Sequence, residues 1–308
     1  MKNCLLTGYP GFLSSFLYEQ LKNHYCIYTL GLLPTSDKLH IQADITGCQW
    51  TLPDIKFDLV IHAAGKAHTV PRNNAEKQAF FDVNEVGTAN VIAALNHLTQ
   101  PPASFVLIST VAVYGCHTGT GIDENHHLAA TDSYGKSKIN AEKIVQNWDA
   151  PKTLKGILRL PLIAGRNPPG NLGKMLAAIK KRTYFNIGSG CAKRSLVLID
   201  DIADFIPLIA KQGGIYNLTD GCDVTFASLC HEIAKKINRR PNPAIPFLLA
   251  KGMALAGDMA GKILKRDMPF NSYVLDKMCQ DLTFSSVKAQ RELSWNPHPV
   301  IDNLNKVV

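Results

Sequence analysis

The sequence predicts an α/β fold: a doubly wound parallel sheet with a smaller, helix-rich C-terminal part. Two observations carry this. Short apolar runs alternate with helical patterns through the first half, and a glycine-bearing turn joins the first run to the first helix. Strands that alternate with helices build βαβ units and hence a parallel sheet. "NCLLTG", "CIYTLG", "DLVIHAAG" and "SFVLIST" read as buried strands, because parallel strands covered on both faces are apolar throughout. "FLSSFLYEQLKNH" and "VNEVGTANVIAALNHL" between them repeat at helical spacing. "GILRLPLIAG" gives a further strand, and "GRNPPGN" reads as a loop from its Gly, Pro and Asn content. "GNLGKMLAAIKKR" is a helix, "SLVLIDDIADFIPLIA" is strand, turn and helix, and "GGIYNLTDG" is a strand returning to the first sheet. The last ninety or so residues are helix-rich and form a smaller cap.

At 308 residues the chain is long enough for a substantial core. Hydrophobic residues at 46% and charged residues at 19% exclude a disordered chain. The net charge of +8 serves solubility or attracts an anionic ligand. No basic tract is interleaved with aromatics, which argues against nucleic acid. The 8 cysteines are scattered without a C-x-x-C, so neither a zinc site nor a disulfide framework is expected, and no metal is assigned. With no apolar leader at the start, a reducing cytoplasm is the expected location. The stretch from Ala244 to Leu264 is broken by Lys251 and Asp258. It suits an amphipathic helix packed on the body of the protein better than a transmembrane span, with contact at a membrane surface as the second reading.

"TGYPGFLS" follows the first strand directly and opens a helix. Gly8 and Gly11 fall at the first two glycine positions of a G-x-x-G-x-x-G loop, where the chain turns tightly and a pyrophosphate approaches backbone N–H groups. Ser14 stands at the third position. The loop marks a Rossmann-type dinucleotide-binding domain over residues 1–165, with a return at 196–218. Residues 166–195 and 219–308 are then the substrate-binding domain. The end of the second strand has neither the acid that suits NAD nor the arginine that suits NADP. Asp37 comes late, Lys38 is placed to serve a phosphate, and Asp44 either reaches the adenine or caps a turn.

"TDSYGKSK" puts Tyr134 and Lys138 one helical turn apart, on one face. Ser109 and Thr110 end a strand where open α/β sheets place their ligands. Tyrosine titrates near about 10, and acid–base work near neutrality wants it about three pH units lower, roughly 4 kcal/mol. A lysine ammonium about 4 Å away supplies about that much at an effective dielectric of about 20. Tyr134 then takes a proton from a sugar hydroxyl while Thr110 bonds the same oxygen.

These residues resemble the extended short-chain dehydrogenase/reductases, in the NAD-dependent epimerase/dehydratase branch that acts on nucleotide sugars. "TGYPGF" looks like that family's opening loop, and "IHAAGKAH" its fourth-strand segment. "VNEVGTANV", "STVAVYG", "YGKSK", "LRLPLIAG" and "KAQRELSWNPH" are similar to later motifs, with Ser294 in place of a glycine. The resemblance assigns catalysis to Thr110, Tyr134 and Lys138. It extends the cofactor set of Gly8, Gly11 and Asp44 to Tyr9, Phe12, Leu13, Ile45, Ala63, Ala64, Gly65, Asn84, Ser109 and Pro161, with Tyr134 and Lys138 also at the cofactor. It brings His68, Thr110, Asn171, Leu172, Phe185 and Arg194 to the substrate, with Arg194 on its diphosphate. The cofactor is NAD or NADP, with NAD favoured by resemblance, and the substrate a UDP-sugar. A homodimer is expected through the helices carrying "VNEVGTANVIAAL" and "YGKSKINAEKIVQNW". A 4,6-dehydratase carries an acidic pair after the threonine, where this chain has Val111 and Ala112. C4 epimerisation and 4-keto reduction stay open. A non-catalytic dinucleotide sensor is the alternative from another class, and the retained Tyr134 and Lys138 argue against it. His62 is expected in the framework beside the cofactor, His126 and His127 in a polar loop, and the basic residues of "KKINRRP" at a solvated helix end.

Overall fold

Apolar runs form the strands of one parallel sheet in the computed structural model, which describes residues 1–239, 243–264, 268 and 270–308. β1 (Lys2–Thr7) buries its last four residues and ends in the turn that opens α1 (Phe12–Leu21). β2 (Tyr25–Gly31) and β3 (His40–Gln42) add outward to one edge. The chain then crosses back, and β4 (Leu59–His62) pairs with the other side of β1. α2 (Asn74–Phe81) and α3 (Gly87–Asn96) lead to β5 (Ser104–Thr110) beside β4. β6 (Gly119–Ile122) leaves the sheet before α4 (Ser133–Asn147), and β7 (Leu154–Leu160) then pairs with β5.

β8 (Leu162–Ala164) and β11 (Leu196–Leu198) form a parallel pair of their own. Between them lie α5 (Gly170–Lys180), β9 (Asn186–Ile187) and β10 (Lys193–Arg194). α6 (Ile199–Gln212) carries the chain back, and β12 (Gly214–Asn217) pairs with β7. The sheet therefore has 7 strands in the order β12-β7-β5-β4-β1-β2-β3, every neighbouring pair parallel. The rest of the chain gives β13 (Val224–Thr225), α7 (Phe226–Lys236), β14 (Ala244–Ile245), α8 (Phe247–Leu264), α9 (Ser272–Cys279), β15 (Leu282–Phe284) and α10 (Val287–Leu293). Arg240 and Pro241 of the basic stretch lie outside the described residues.

Helices cover both faces of the sheet. Leu13 and Leu17 of α1 with Phe205, Ile206 and Ile209 of α6 fill one side. Val91, Ile92 and Leu95 of α3 with Ala141 and Val145 of α4 fill the other. A second core joins α5 and α7 through Leu176, Ile179, Leu229 and Ile233. The helix-rich C-terminal part also holds short strands that sequence periodicity does not reveal. β13, β10, β15 and β6 make a four-stranded sheet, and β14 pairs with β9. Elements of two to four residues are too short to display alternation.

The strand order reverses at β1, whose neighbours β2 and β4 lead in opposite directions. A crevice opens there at the carboxyl ends of the strands. The loop after β1 is held against β2: Gly8 N–H and Tyr9 N–H both donate to the Leu30 carbonyl, at 2.7 and 3.3 Å. A Cβ on Gly31 would stand 1.7 Å from the Tyr9 carbonyl oxygen. Gly31→Ala therefore displaces this loop, at about 1–3 kcal/mol of stability or more. The measurements are a urea midpoint and a dinucleotide titration, and both weaken.

Candidate active site

A cavity of about 1900 Å³ lies over the carboxyl ends of β1, β4 and β5 and reaches into the second core. A site for one small ligand holds about 300–1,000 Å³, so there is room here for two. Gly8 has φ +84°, and a Cβ there would sit 2.7 Å from the Ala64 backbone, so β1 and β4 approach with nothing between them. Ser14, at the third glycine position, is buried and closes the loop. Its hydroxyl donates to the Gly8 carbonyl at 2.7 Å and accepts from Gly11 N–H at 2.9 Å. The first-turn N–H groups of Phe12 and Leu13 have no carbonyl of their own helix to bond, and both residues line the cavity. Tyr9, Ile45, Ala63, Ala64, Gly65, Asn84 and Pro161 line it as well. This small-residue cradle at a helix N-terminus fits a dinucleotide.

Asp44 caps a turn at the edge of the cavity. It lines the cavity, and its Oδ1 accepts from Thr46 N–H and Oγ1 to cap a turn. Asp37 is spent elsewhere, accepting from Tyr18 at 2.8 Å, and Lys38 lies off the cavity wall.

Beneath the floor runs a buried relay of hydroxyls and one imidazole. Ala64 N–H donates to Thr7 Oγ1, Thr7 to His62 Nδ1, His62 Nε2–H to Thr88 Oγ1, and Thr88 to the Asn84 carbonyl. The end members, one an N–H and the other a carbonyl, fix every proton between them and so assign the neutral His62 tautomer. Burial first, and the Lys138 cation second, push His62 down to about 3. Asn84 sits in a π-helical turn, Asp82–Val86, between α2 and α3. Its amide bonds both backbone groups of Lys66 and the Ser137 hydroxyl, clamping the loop after β4 to α4. Sequence periodicity carried no sign of this extra residue in the helix.

Thr110, Tyr134 and Lys138 come together on the cavity wall. Thr110 Oγ1 accepts from Ala112 N–H at 3.2 Å beside the Tyr134 phenol, and Lys138 Nζ donates to the Ile108 carbonyl at 2.7 Å. Burial pushes the Tyr134 phenol up, the neighbouring Thr110 hydroxyl pulls it down, and nearby Asp132 raises it again, leaving it above its ordinary value. That corrects the expectation of a phenol depressed by Lys138. The ammonium is turned to the strand carbonyl, and burial brings Lys138 itself down to about 8, partly restored by Glu142.

The expected substrate residues divide. His68, Asn171 and Arg194 line the cavity. Leu172 lines it too, but its side chain is buried in the second core. Phe185 is exposed and off the lining, and the preceding Tyr184 is the aromatic residue there. The Arg194 guanidinium already donates to the Lys193 and Gln280 carbonyls, at 2.7 and 2.6 Å, and to that of Lys277. It also stacks over Phe226, so much of its fork holds β10 to the end of α9. Ser109, expected at the cofactor, lines the cavity while its hydroxyl donates to Glu142. The His126 and His127 rings lie 4.5 Å apart and tilted by 34°, with His126 Nε2 3.3 Å from Cys116.

The family model for the NAD dependent epimerase/dehydratase family matches residues 4–219, well over half of the chain. The chain belongs to that family. As a member it is an NAD(P)-dependent enzyme of the epimerase/dehydratase type. It is 25% identical over 325 residues to the N-acetyl-α-D-glucosaminyl-diphospho-ditrans,octacis-undecaprenol 4-epimerase of Escherichia coli O157:H7, covering 99% of this chain and 94% of that protein. It is 30% identical over 234 residues to the UDP-glucose 4-epimerase of Mycoplasma pneumoniae, covering 65% and 69% of the two chains. The UDP-glucuronic acid 4-epimerase of Bacillus cereus, solved with UDP-glucuronic acid and NAD, shares the fold at a TM-score of 0.73, with 17% identity and coverage of 100% and 98%.

One part of this epimerase/dehydratase site was missed in the sequence. Glu142 follows Lys138 by one further turn and is fully buried against Arg159 of β7, at 2.7 Å. Glu142 also accepts from Ser109 at 2.5 Å. Arg159 donates to Tyr114, which donates to Asn217 of β12 at 2.8 Å. The Tyr134, Lys138, Glu142 spacing on one helix face was the available signal.

Glu142→Ala strands the Arg159 charge and costs about 3–5 kcal/mol, read from chemical denaturation. His62 gives a pH signature. Its folded value lies below its unfolded one, so its stabilising effect is full above about pH 6.5 and is lost as pH falls toward about 3. Between pH 7 and pH 5 the natural chain loses about 2 kcal/mol more than His62→Gln does. Equal slopes of stability against pH in the two proteins contradict that assignment.

Proposed function

We propose that the chain moves hydride at C4 of a diphosphate-linked hexose, as a 4-epimerase or a 4-keto reductase, with a UDP-hexose as substrate. The observation that carries this is Thr110, Tyr134 and Lys138 together on the wall of a cavity large enough for a dinucleotide and a sugar diphosphate. In this reading the first part of the chain holds the dinucleotide and the second the sugar. The dinucleotide, when bound, supplies the hydride acceptor or donor. Gly8, Gly11, Phe12 and Leu13 hold its pyrophosphate, and Ala63, Ala64 and Asn84 frame the opposite side. Thr110 orients the sugar hydroxyl. Tyr134 takes that proton as the carbinol carbon becomes a ketone and returns it on reduction. Lys138, its ammonium on the Ile108 carbonyl, supplies positive charge one helical turn from the phenol, where the proton's departure leaves an anion. His68 and Asn171 face the sugar diphosphate, joined by the donors of Arg194 that the backbone leaves free. Val111 and Ala112 line the cavity where a 4,6-elimination needs an acid and a base, and neither moves a proton.

A second reading has one observation in its favour. The Escherichia coli relative, matched over nearly the whole chain, is named for a sugar carried on a polyprenyl diphosphate rather than on a nucleotide. Both carriers present the same diphosphate to the same sugar site.

The test is nucleotide content after purification, followed by incubation with UDP-hexoses, 4-keto sugar nucleotides and polyprenyl-diphosphate sugars. Retained dinucleotide with interconversion of C4 epimers identifies an epimerase. Consumption of NAD(P)H with a 4-keto sugar identifies a reductase. Tyr134→Phe lowers kcat by about 10²–10⁴-fold in either case. A Tyr134→Phe protein as active as the natural one overturns the assignment.

A further inference from the structure

α8 is built inside out. At about 100° per residue, Ala250, Ala254, Gly257 and Gly261 fall on one stripe. Ala250 and Ala254 are 1% and 0% exposed and pack with Leu275 of α9 and Ile187 of β9. The large apolar residues take the other face: Leu248, Met259 and Ile263 are 81%, 66% and 78% exposed, and Leu249, Met253 and Leu255 are also exposed. A soluble helix normally does the reverse. Lys251 and Lys262 stand exposed at one border of the apolar face, where long side chains reach past an apolar layer to its charged rim. No helix among the described residues is long and apolar enough to cross a membrane.

The ground beneath α8 is basic. A second cavity, of about 1650 Å³, runs from the helix to the active site and shares Lys66 and Lys174 with the main cavity. Its charged lining is Lys66, Arg72, Lys174 and Lys262 against Glu76 and Asp258. Both carboxylates are engaged at helix starts: Glu76 accepts from Arg72 N–H at 2.7 Å, and Asp258 from Ser272 N–H at 3.2 Å. None of the four cations forms an ion pair among the described residues.

We propose that the outward face of α8 seats on an anionic lipid bilayer, with the basic cavity opening beside that contact toward the active site. The apolar side chains enter the boundary between headgroups and acyl chains, and the bordering lysines meet anionic headgroups. The net charge of +8 adds long-range attraction to such a surface. The contact goes beyond the catalytic reading and does not depend on it. It bears on that reading by bringing the cavity to where a lipid-carried sugar diphosphate would lie.

The experiment is co-sedimentation of the full chain with phosphatidylcholine vesicles, with and without phosphatidylglycerol, at low and high salt. The natural protein is expected to sediment with the anionic vesicles, less with neutral ones, and less at high salt. A variant carrying Leu248→Ser, Leu255→Ser and Met259→Ser loses vesicle affinity by at least about tenfold. These side chains are exposed and line neither cavity, so the variant keeps its thermal midpoint and its NAD(P)H binding. Equal sedimentation of the two proteins, or none by the natural chain, overturns the proposal. Light scattering gives the other overturning result: if the substitutions only split a larger species into a smaller one, a second copy of the chain covers this face. NAD(P)H binding is read in the same samples, so loss of the catalytic reading and loss of the docking surface are seen separately.

Discussion

The wall that carries Thr110 and Tyr134 depends on one buried ion pair. Glu142 of α4 and Arg159 of β7 meet almost fully buried, and each charge alone is costly to bury. Their attraction offsets that cost only if the geometry is good and the remaining hydrogen-bonding positions are filled. Here they are: the Glu142 carboxylate takes two Arg159 nitrogens and the Ser109 hydroxyl, and Arg159 also reaches Tyr114. Through those contacts α4 is registered against β5, β7 and β12 together. A hydrophobic pair of the same volume would also fill the space, but it would not fix how far α4 slides along the sheet. Tyr134 and Lys138 lie on that same helix, so the slide decides whether the phenol meets Thr110.

A second constraint acts from the opposite side. The π-helical turn at Asp82–Val86 brings Asn84 inward between the loop after β4 and α4. Its amide bonds Lys66 N–H and C=O with one end each and leaves a donor for Ser137. The relay through Thr7, His62 and Thr88 then joins this turn to the end of β1, where the glycine loop begins. The floor of the cavity at the glycine loop and the helix bearing Tyr134 and Lys138 are thus parts of one hydrogen-bonded frame. His62 stays neutral within it because burial and the Lys138 cation both oppose a second proton.

Six of the seven strands were legible because they run four to seven largely apolar residues, whereas β3 (His40–Gln42) has three residues with a single apolar side chain. The glycine loop and the Thr110, Tyr134, Lys138 order were legible because such contacts are local: a turn, a strand end, one helical turn. What sequence could not give was long-range. Arg159 and Glu142 are 17 positions apart, and Asn217 and Tyr114 are 103 apart. The titration of Tyr134 was misjudged for the same reason. Spacing puts Lys138 on the right helix face, but the Ile108 carbonyl that takes its ammonium belongs to another element. Phe185 and Arg194 show the limit of reading side chains from order alone: one residue of offset moves an aromatic ring off the cavity, and a guanidinium expected on a ligand is largely taken by three carbonyls.

α8 marks a different limit. The hydrophobic pattern of Phe247–Leu264 is amphipathic in either of two senses, because alanine and glycine occupy one stripe and leucine, methionine and isoleucine the other. Area burial favours packing the large residues inward, by about 25 cal/mol for each Å² removed from water. Close approach of backbones favours the small stripe, and Gly257 sits so near Phe270 that a Cβ would fall 2.0 Å from its carbonyl oxygen. Packing geometry decided the orientation and left the larger apolar area unsatisfied. A helix held that way contributes little to its own domain's core. Its exposed leucines and methionines retain a free energy of burial that no described residue of the chain supplies.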